Sequence, residues 1–350
     1  MRNIPVIHDF ARQRKISVRR VMDFVTIANP LGPSSRAKDA IRKSLKILDR
    51  PTDDRSRFLV GAIARLNNVP EDNILLASSF ETLLTSIIRF FQAGKVLCPA
   101  PYPWYYRKAV EGPVHFHFLE LDEKENFVIN NPFRQKDFSE YGAAIIPYPS
   151  FMSEKPLDLD DVHQMIALAE NRRMPLIIDE TLIQYTSARS AAGLLAGHPY
   201  CLVISSMTEY YALPGLPVSY CIGDAGTLAM IERDHPLSPP SVPAAAAAAA
   251  SIRDKAYHRR TRAYFTVEHD FIRERLQKIP GISFYTTACG SFVIKFPVAP
   301  KKGLETFSQH NILVDEISGS LFFPVKDHKW NARYLKTLKN IMGSDTDETP

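Results

Sequence analysis

Two histidines, His115 and His117, alternate within Val114–Phe118 and so share one face of a β-strand. Paired imidazoles can supply half of a tetrahedral metal site, but no third ligand is close in sequence, and the pair reads as two strand-surface side chains. Three carboxylates, Asp158, Asp160 and Asp161, crowd one helix start, where the helix dipole accounts for them without acid–base or metal chemistry. Four cysteines, Cys98, Cys201, Cys221 and Cys289, stand far apart in apolar or small-residue stretches with no CxxC pair. Buried, reduced thiols in a reducing compartment are expected. The densest basic run, Arg12, Arg14, Lys15, Arg19 and Arg20, lacks interleaved aromatics and reads as a solvated helix face rather than a nucleic-acid arm. There is no GxGxxG after a strand, no GxxxxGKS/T, no HExxH and no GxSxG.

The elements that must position any site come from the apolar patterning. The chain has 350 residues, with 43 Lys+Arg against 38 Asp+Glu (net +5), 45% apolar and 23% charged, which excludes a disordered tail, a collagen-like rod and an obvious DNA binder. No apolar run approaches the roughly 20 residues needed to cross a bilayer. His8 and Asp9 stand where a signal peptide needs a hydrophobic run, so a cytoplasmic protein with no membrane or nucleic-acid partner is expected. The runs Val96–Cys98, Ala143–Ile146, Leu176–Ile178 and Leu202–Ile204 predict buried strands, rich in Val, Ile and Leu without in–out alternation. Helical patterns over Ser79–Phe91 and Leu159–Arg172 lie between them, the second with Asp158 or Asp160 as a cap. Strands separated by helices predict an α/β fold on a mostly parallel sheet.

Four prolines in Asp234–Pro243 demand extended or turned chain, and the alanines 244–250 then predict one long helix over 243–278, buried rather than a linker. Strands at Ile282–Tyr285 and Phe292–Phe296 and a helix at Asn331–Met342 belong to a smaller unit. The expected division is a large domain over 42–250, a small domain of 1–41 with 251–343, and a frayed tail at 344–350.

The segment Ser205-Ser206-Met207-Thr208-Glu209-Tyr210-Tyr211-Ala212-Leu213-Pro214-Gly215-Leu216-Pro217 resembles the S-L-T-K-F-Y-A-L-P-G-L-R segment of the threonine-phosphate decarboxylases of cobalamin biosynthesis. These are relatives of histidinol-phosphate aminotransferases in the pyridoxal-phosphate (PLP) fold-type I superfamily. Asp23–Pro33, with Asn29, is similar to that family's DFSxNxNPLGP; Pro99–Pro101 with Tyr106 to PAPTFSEY; Ile177–Glu180 to VVDE; and Asn331–Leu338 to the final NxRLLxAL helix. The resemblance spans nearly the whole chain. It implies a large domain with a mostly parallel seven-stranded sheet between helices plus a smaller α+β domain, a dimer, and a PLP cleft.

That cleft is altered at six of the positions the resemblance assigns. Glu209 replaces the Schiff-base lysine, and no lysine stands between Lys155 and Lys255. Without an amine there is no covalent anchor for the cofactor. Pro217 replaces the phosphate-binding arginine, and Ala77-Ser78-Ser79-Phe80-Glu81 replaces a G-N-G-A-T phosphate loop, losing two glycines and gaining a bulky ring and an acid. Ser150 falls at the asparagine that contacts the ring oxygen, Phe322 at the arginine that clamps a substrate carboxylate, and Arg50 at the tyrosine given across the dimer. Asp179, which would pair with the pyridine nitrogen, and Tyr106, at the ring-stacking position, are retained.

The reading that follows is a non-catalytic member of the fold with no covalent cofactor. It would bind a small-molecule ligand in the remodelled cleft, or regulate as a homodimer or as the partner of an active paralogue. A second reading is an enzyme in which Glu209 and Asp179, near Tyr106 and Tyr211, perform lysine-independent acid–base chemistry on a small amino-acid-like or phosphorylated substrate, with noncovalently bound PLP as a variant. A conventional PLP decarboxylase or aminotransferase fits these residues least.

Overall fold

The computed structural model describes residues 6–49, 56–112, 114–129, 140–296 and 303–344. Arg50 and all of the expected tail except Ser344 lie outside the described residues. A seven-stranded sheet runs from edge to edge as Ile74–Ala77, Ser219–Ile222, Cys201–Ser206, Leu176–Asp179, Ala143–Pro147, Lys95–Ala100 and His115–Glu120. Ser219–Ile222 is antiparallel to both neighbours, and the remaining pairings are parallel. The register Pro147↔Asp179↔Ile204 brings the carboxyl ends of the central strands level along one edge.

The central strands read as continuous apolar runs because both faces are covered. Ile146, Ile178 and Val203 point to one core, and Ile145, Ile177 and Leu202 to the other. Helix Phe80–Phe90 covers the second face with Phe80, Leu83, Leu84, Ile87 and Ile88, each buried side chain contributing about 1.5–3 kcal/mol. Ser79 caps this helix, its Oγ accepting from the Thr82 amide at 3.2 Å. The alanine-rich helix Val242–Ile252 covers the first face, with Ala244, Ala245, Ala247, Ala248 and Ala249 buried, as expected of a core helix. Asp158 caps Leu159–Arg172, accepting from the Asp160 amide at 2.9 Å.

A four-stranded antiparallel sheet, ordered Asp315–Ile317, Ser320–Phe323, Phe292–Lys295 and Ser283–Thr286, forms the smaller unit. Helices Lys255–Leu276 and His328–Ser344 contribute to its apolar core. A short parallel pairing, Met22↔Ile312 and Asp23↔Leu313, ties the N-terminal segment to it. His115 is exposed on its edge strand and His117 packs on the Tyr141 ring at 5.3 Å; among the described residues no group of three or more metal-ligating side chains converges. All four cysteines are free and buried.

The single long helix expected over 243–278 is instead two, Val242–Ile252 and Lys255–Leu276, broken at Arg253 and Asp254. Asp254 leaves the helical conformation (φ −85°, ψ 76°), and its buried carboxylate caps the second helix by accepting from the Tyr257 amide at 3.0 Å. A local side-chain cap outcompetes helix propensity at that point. Asp254→Ala should therefore lower the free energy of unfolding by about 1 kcal/mol in chemical denaturation, and an unchanged midpoint would contradict this role for the cap.

Candidate functional site

The chemistry-bearing residues gather beyond the carboxyl ends of the parallel strands, where open α/β sheets place their ligand sites. Asp179 ends its strand and is 1% exposed. Its Oδ2 accepts from the hydroxyls of Tyr105 and Tyr106, both at 2.9 Å, and its Oδ1 from the Thr181 amide at 2.9 Å. Both tyrosines come from the turn that follows strand Lys95–Ala100. Burial raises the Asp179 pKa above the ordinary carboxylate range, against these hydrogen bonds, which lower it. The two phenols are held well above their usual range, chiefly by burial and then by the Asp179 charge.

Glu209 lies in the turn after strand Cys201–Ser206 and is 5% exposed. Its main-chain oxygen accepts from the Asn29 amide at 3.1 Å and the Tyr185 hydroxyl at 3.2 Å. Its Oε2 is enclosed and has no hydrogen-bond partner. Desolvation pushes its pKa from 4.5 to about 7, against a hydrogen bond with the Ser206 side chain and with a further push from Asp179. Glu180 is also buried and also raised to about 7, chiefly by desolvation, but both its oxygens are satisfied, by the Ser190 hydroxyl and the Ala191 amide at 2.6 Å each. Among the described residues, no lysine or arginine forms an ion pair with any of these three carboxylates.

Aromatic rings pack beside them. Phe80 stacks on Tyr106, with centroids 5.6 Å apart and planes 19° apart, and meets Tyr105 edge-on at 5.1 Å. Trp104 stands perpendicular to Tyr105 at 5.1 Å, and Tyr185 packs on Tyr210 at 5.0 Å.

The other residues singled out in the sequence are scattered around this cluster. Ser150 is buried, its Oγ accepting from the Met152 amide at 3.4 Å. The Thr208 amide donates to Ser206 Oγ at 3.1 Å. Asn29 is committed to the frame, its Nδ2 donating to the Tyr210 carbonyl at 3.1 Å and to Thr261 Oγ1 at 2.9 Å. Tyr211 is buried in the core beneath the sheet with its hydroxyl unpartnered. Pro217 is exposed. Phe322 is fully buried against Phe151, with centroids 5.2 Å apart. Glu81 pairs with Lys108 at 3.5 Å as a partly exposed ion pair, where the sequence suggested an acid in the phosphate loop. Tyr105, Thr181, Tyr185 and Trp104 were not singled out; the only local signal is the aromatic run Trp104-Tyr105-Tyr106.

A mostly parallel seven-stranded sheet between helices, with a smaller domain and its polar residues at the carboxyl edge, defines a fold-type I PLP-transferase architecture. The aminotransferase class I and II family profile matches residues 55–318, and the chain belongs to that family. It is 26% identical over 276 residues to a protein named as a threonine-phosphate decarboxylase from Caldanaerobacter subterraneus subsp. tengcongensis, covering 76% of this chain and 73% of that one. The histidinol-phosphate aminotransferase of Clostridium acetobutylicum superposes with a TM-score of 0.82 at 21% identity, over 93% of this chain and all (100%) of that one. The Sinorhizobium meliloti histidinol-phosphate aminotransferase, solved in complex with pyridoxal-5'-phosphate, gives 0.80 at 16% identity, over 98% of this chain and 95% of that one. At these identities the two structures establish the fold.

The enclosed Glu209 carboxyl makes stability depend on pH. Its raised folded pKa means that it is protonated in both states below 4.5 and costs nothing there, whereas stability falls as pH rises from 4.5 to about 7, where the unfolded carboxyl ionises and the desolvated native one resists ionisation. Glu209→Gln should leave the melting temperature nearly unchanged at about pH 4 and raise it by several degrees at about pH 8. Equal shifts at both pH values would show that Glu209 does not carry this penalty.

Proposed function

We propose that this protein is a non-catalytic member of the aminotransferase family, its former cofactor cleft filled by its own side chains, and that it acts as a regulatory or structural subunit, as a homodimer or beside an active paralogue. The observation that carries this reading is the state of Asp179. The carboxylate that the family resemblance would offer to a pyridine nitrogen already accepts three hydrogen bonds from within the chain.

The other positions agree with it. Glu209 has no nucleophilic amine, and its carboxylate opposes an anionic cofactor: two like charges about 4 Å apart repel by about 4 kcal/mol at an effective dielectric of 20. The uncharged Pro217 takes the place of a charge-assisted phosphate contact worth about 1.5–3 kcal/mol. Phe80 stacks on Tyr106, the ring the resemblance would place against the cofactor. These residues do not fit PLP.

A second reading, acid–base chemistry independent of lysine, is favoured by one feature. Glu209 combines an unpartnered oxygen with a pKa near 7, the range in which a general acid or base works best. Its substrate would be a small amino-acid-like or phosphorylated molecule.

Three measurements on the full-length protein address these readings. PLP added to the protein and reduced with borohydride should leave no stoichiometric adduct at any lysine and no absorbance band at the visible edge; a stoichiometric reduced adduct at one lysine would overturn the non-catalytic reading. Native mass spectrometry after co-expression with a lysine-bearing homologue separates the two subunit arrangements, since mixed dimers support the paired form and exclusive homodimers the other. Turnover of a small amino acid that is abolished by Glu209→Gln would establish the second reading instead.

A further inference from the structure

The seam between the two sheets is apolar at the place where a ligand-closed cleft would be polar. Phe151, Met152 and Leu182, from loops at the carboxyl edge of the large sheet, meet Cys289, Val293 and Phe322 of the small one, and all six are at most 1% exposed. Phe151 and Phe322 meet edge to face, with planes 77° apart, and Trp104 packs on the outer side of Phe151 at 6.4 Å.

Hydrogen bonds ring this plug and cross between the same two units. The Ala288 amide donates to the Ser153 carbonyl at 2.7 Å and the Tyr285 hydroxyl to the Met152 carbonyl at 2.9 Å. Lys295 Nζ donates to the Glu123 carbonyl at 2.5 Å and to Asn126 Oδ1 at 2.8 Å, and Ser320 Oγ donates to Glu123 Oε1 at 2.9 Å. None of these contacts involves a group that a ligand would have to bring. Interiors packed in this way have discrete arrangements rather than a continuum, so a dry plug with a satisfied polar rim favours one of them.

We propose that the two sheets are held closed on one another by this plug without any ligand, Phe322 supplying from within the chain the contact that closes the cleft. The cleft therefore does not cycle between open and closed states, and the surface offered to a partner subunit is constant. This inference is independent of the missing lysine: an enzyme with lysine-independent chemistry needs a cleft that opens, whereas an inert subunit could have either kind.

Hydrogen–deuterium exchange on the full-length protein tests it, with the Ala288 amide as the reporter that itself crosses the seam. In the free protein, amides within 148–153 and 286–293 should be protected, and a large molar excess of inorganic phosphate or PLP should change their rates by less than twofold. Phe322→Ala and the milder Val293→Ala should each accelerate them at least tenfold, Phe322→Leu much less, while the strand Cys201–Ser206 stays protected and reports that the large domain is folded. The inference is overturned if the free protein exchanges at the seam as fast as either alanine variant. It is equally overturned if phosphate or PLP slows that exchange tenfold or more.

Discussion

A carboxylate buried at the end of a central strand, with no ion-pair partner among the described residues, is the constraint on which the rest of the site depends. Asp179 is sealed from water, and an ion in that position is stable only if its lone pairs are met by donors. Thr181 supplies one donor from the chain immediately following, and Tyr105 and Tyr106 supply two more from the neighbouring loop. Hydrogen bonds to a charged group are worth about 1.5–3 kcal/mol each, enough to fix the turn Trp104–Tyr106 over the strand ends. Once the turn is fixed, Tyr106 lies against Phe80, and the position of one acid determines that the space beside it is taken up by rings.

The neighbouring acids show how narrow the margin is. Glu180 is as buried as Asp179 and is satisfied by a hydroxyl and an amide. Glu209 retains an enclosed oxygen without a partner, so its neutral form is favoured to unusually high pH. The chain as a whole carries +5, but none of that positive charge is paired with these three groups among the described residues. A pocket of this kind is poorly suited to an anion, which is the physical reason for the proposal of a role apart from the cofactor chemistry of the family.

Much of the fold was legible in the sequence because the physics there is local. Val96–Cys98, Ala143–Ile146, Leu176–Ile178 and Leu202–Ile204 lack alternation because helices cover both faces of the sheet, and each forms part of a strand. Asp158 caps the helix it precedes. The break at Arg253–Asp254 was not legible, since the alanine run and the polar sequence after it both favour helix and one carboxylate decides the matter. Within the site, Glu209 and Asp179 could be read from their motifs, whereas Tyr105 and Tyr185 could not. Their hydroxyls meet Asp179 and the Glu209 main chain across 74 and 24 residues of sequence, a convergence set by strand order rather than by spacing. Glu81 stands in the first turn of its helix, as read from the sequence, but its ion pair with Lys108, 27 positions further on, could not be read from spacing.

The central claim is that the side chains at the carboxyl edge occupy the cleft and leave no site for the family's cofactor. Isothermal titration of the full-length protein with PLP near neutral pH tests it most directly. The account predicts no saturable heat, hence a Kd weaker than about 1 mM, or less than about 4 kcal/mol of binding. Saturable one-to-one binding at micromolar Kd, lost in Asp179→Asn, would contradict it, because Asp179 would then be available to a ligand rather than committed to Tyr105 and Tyr106.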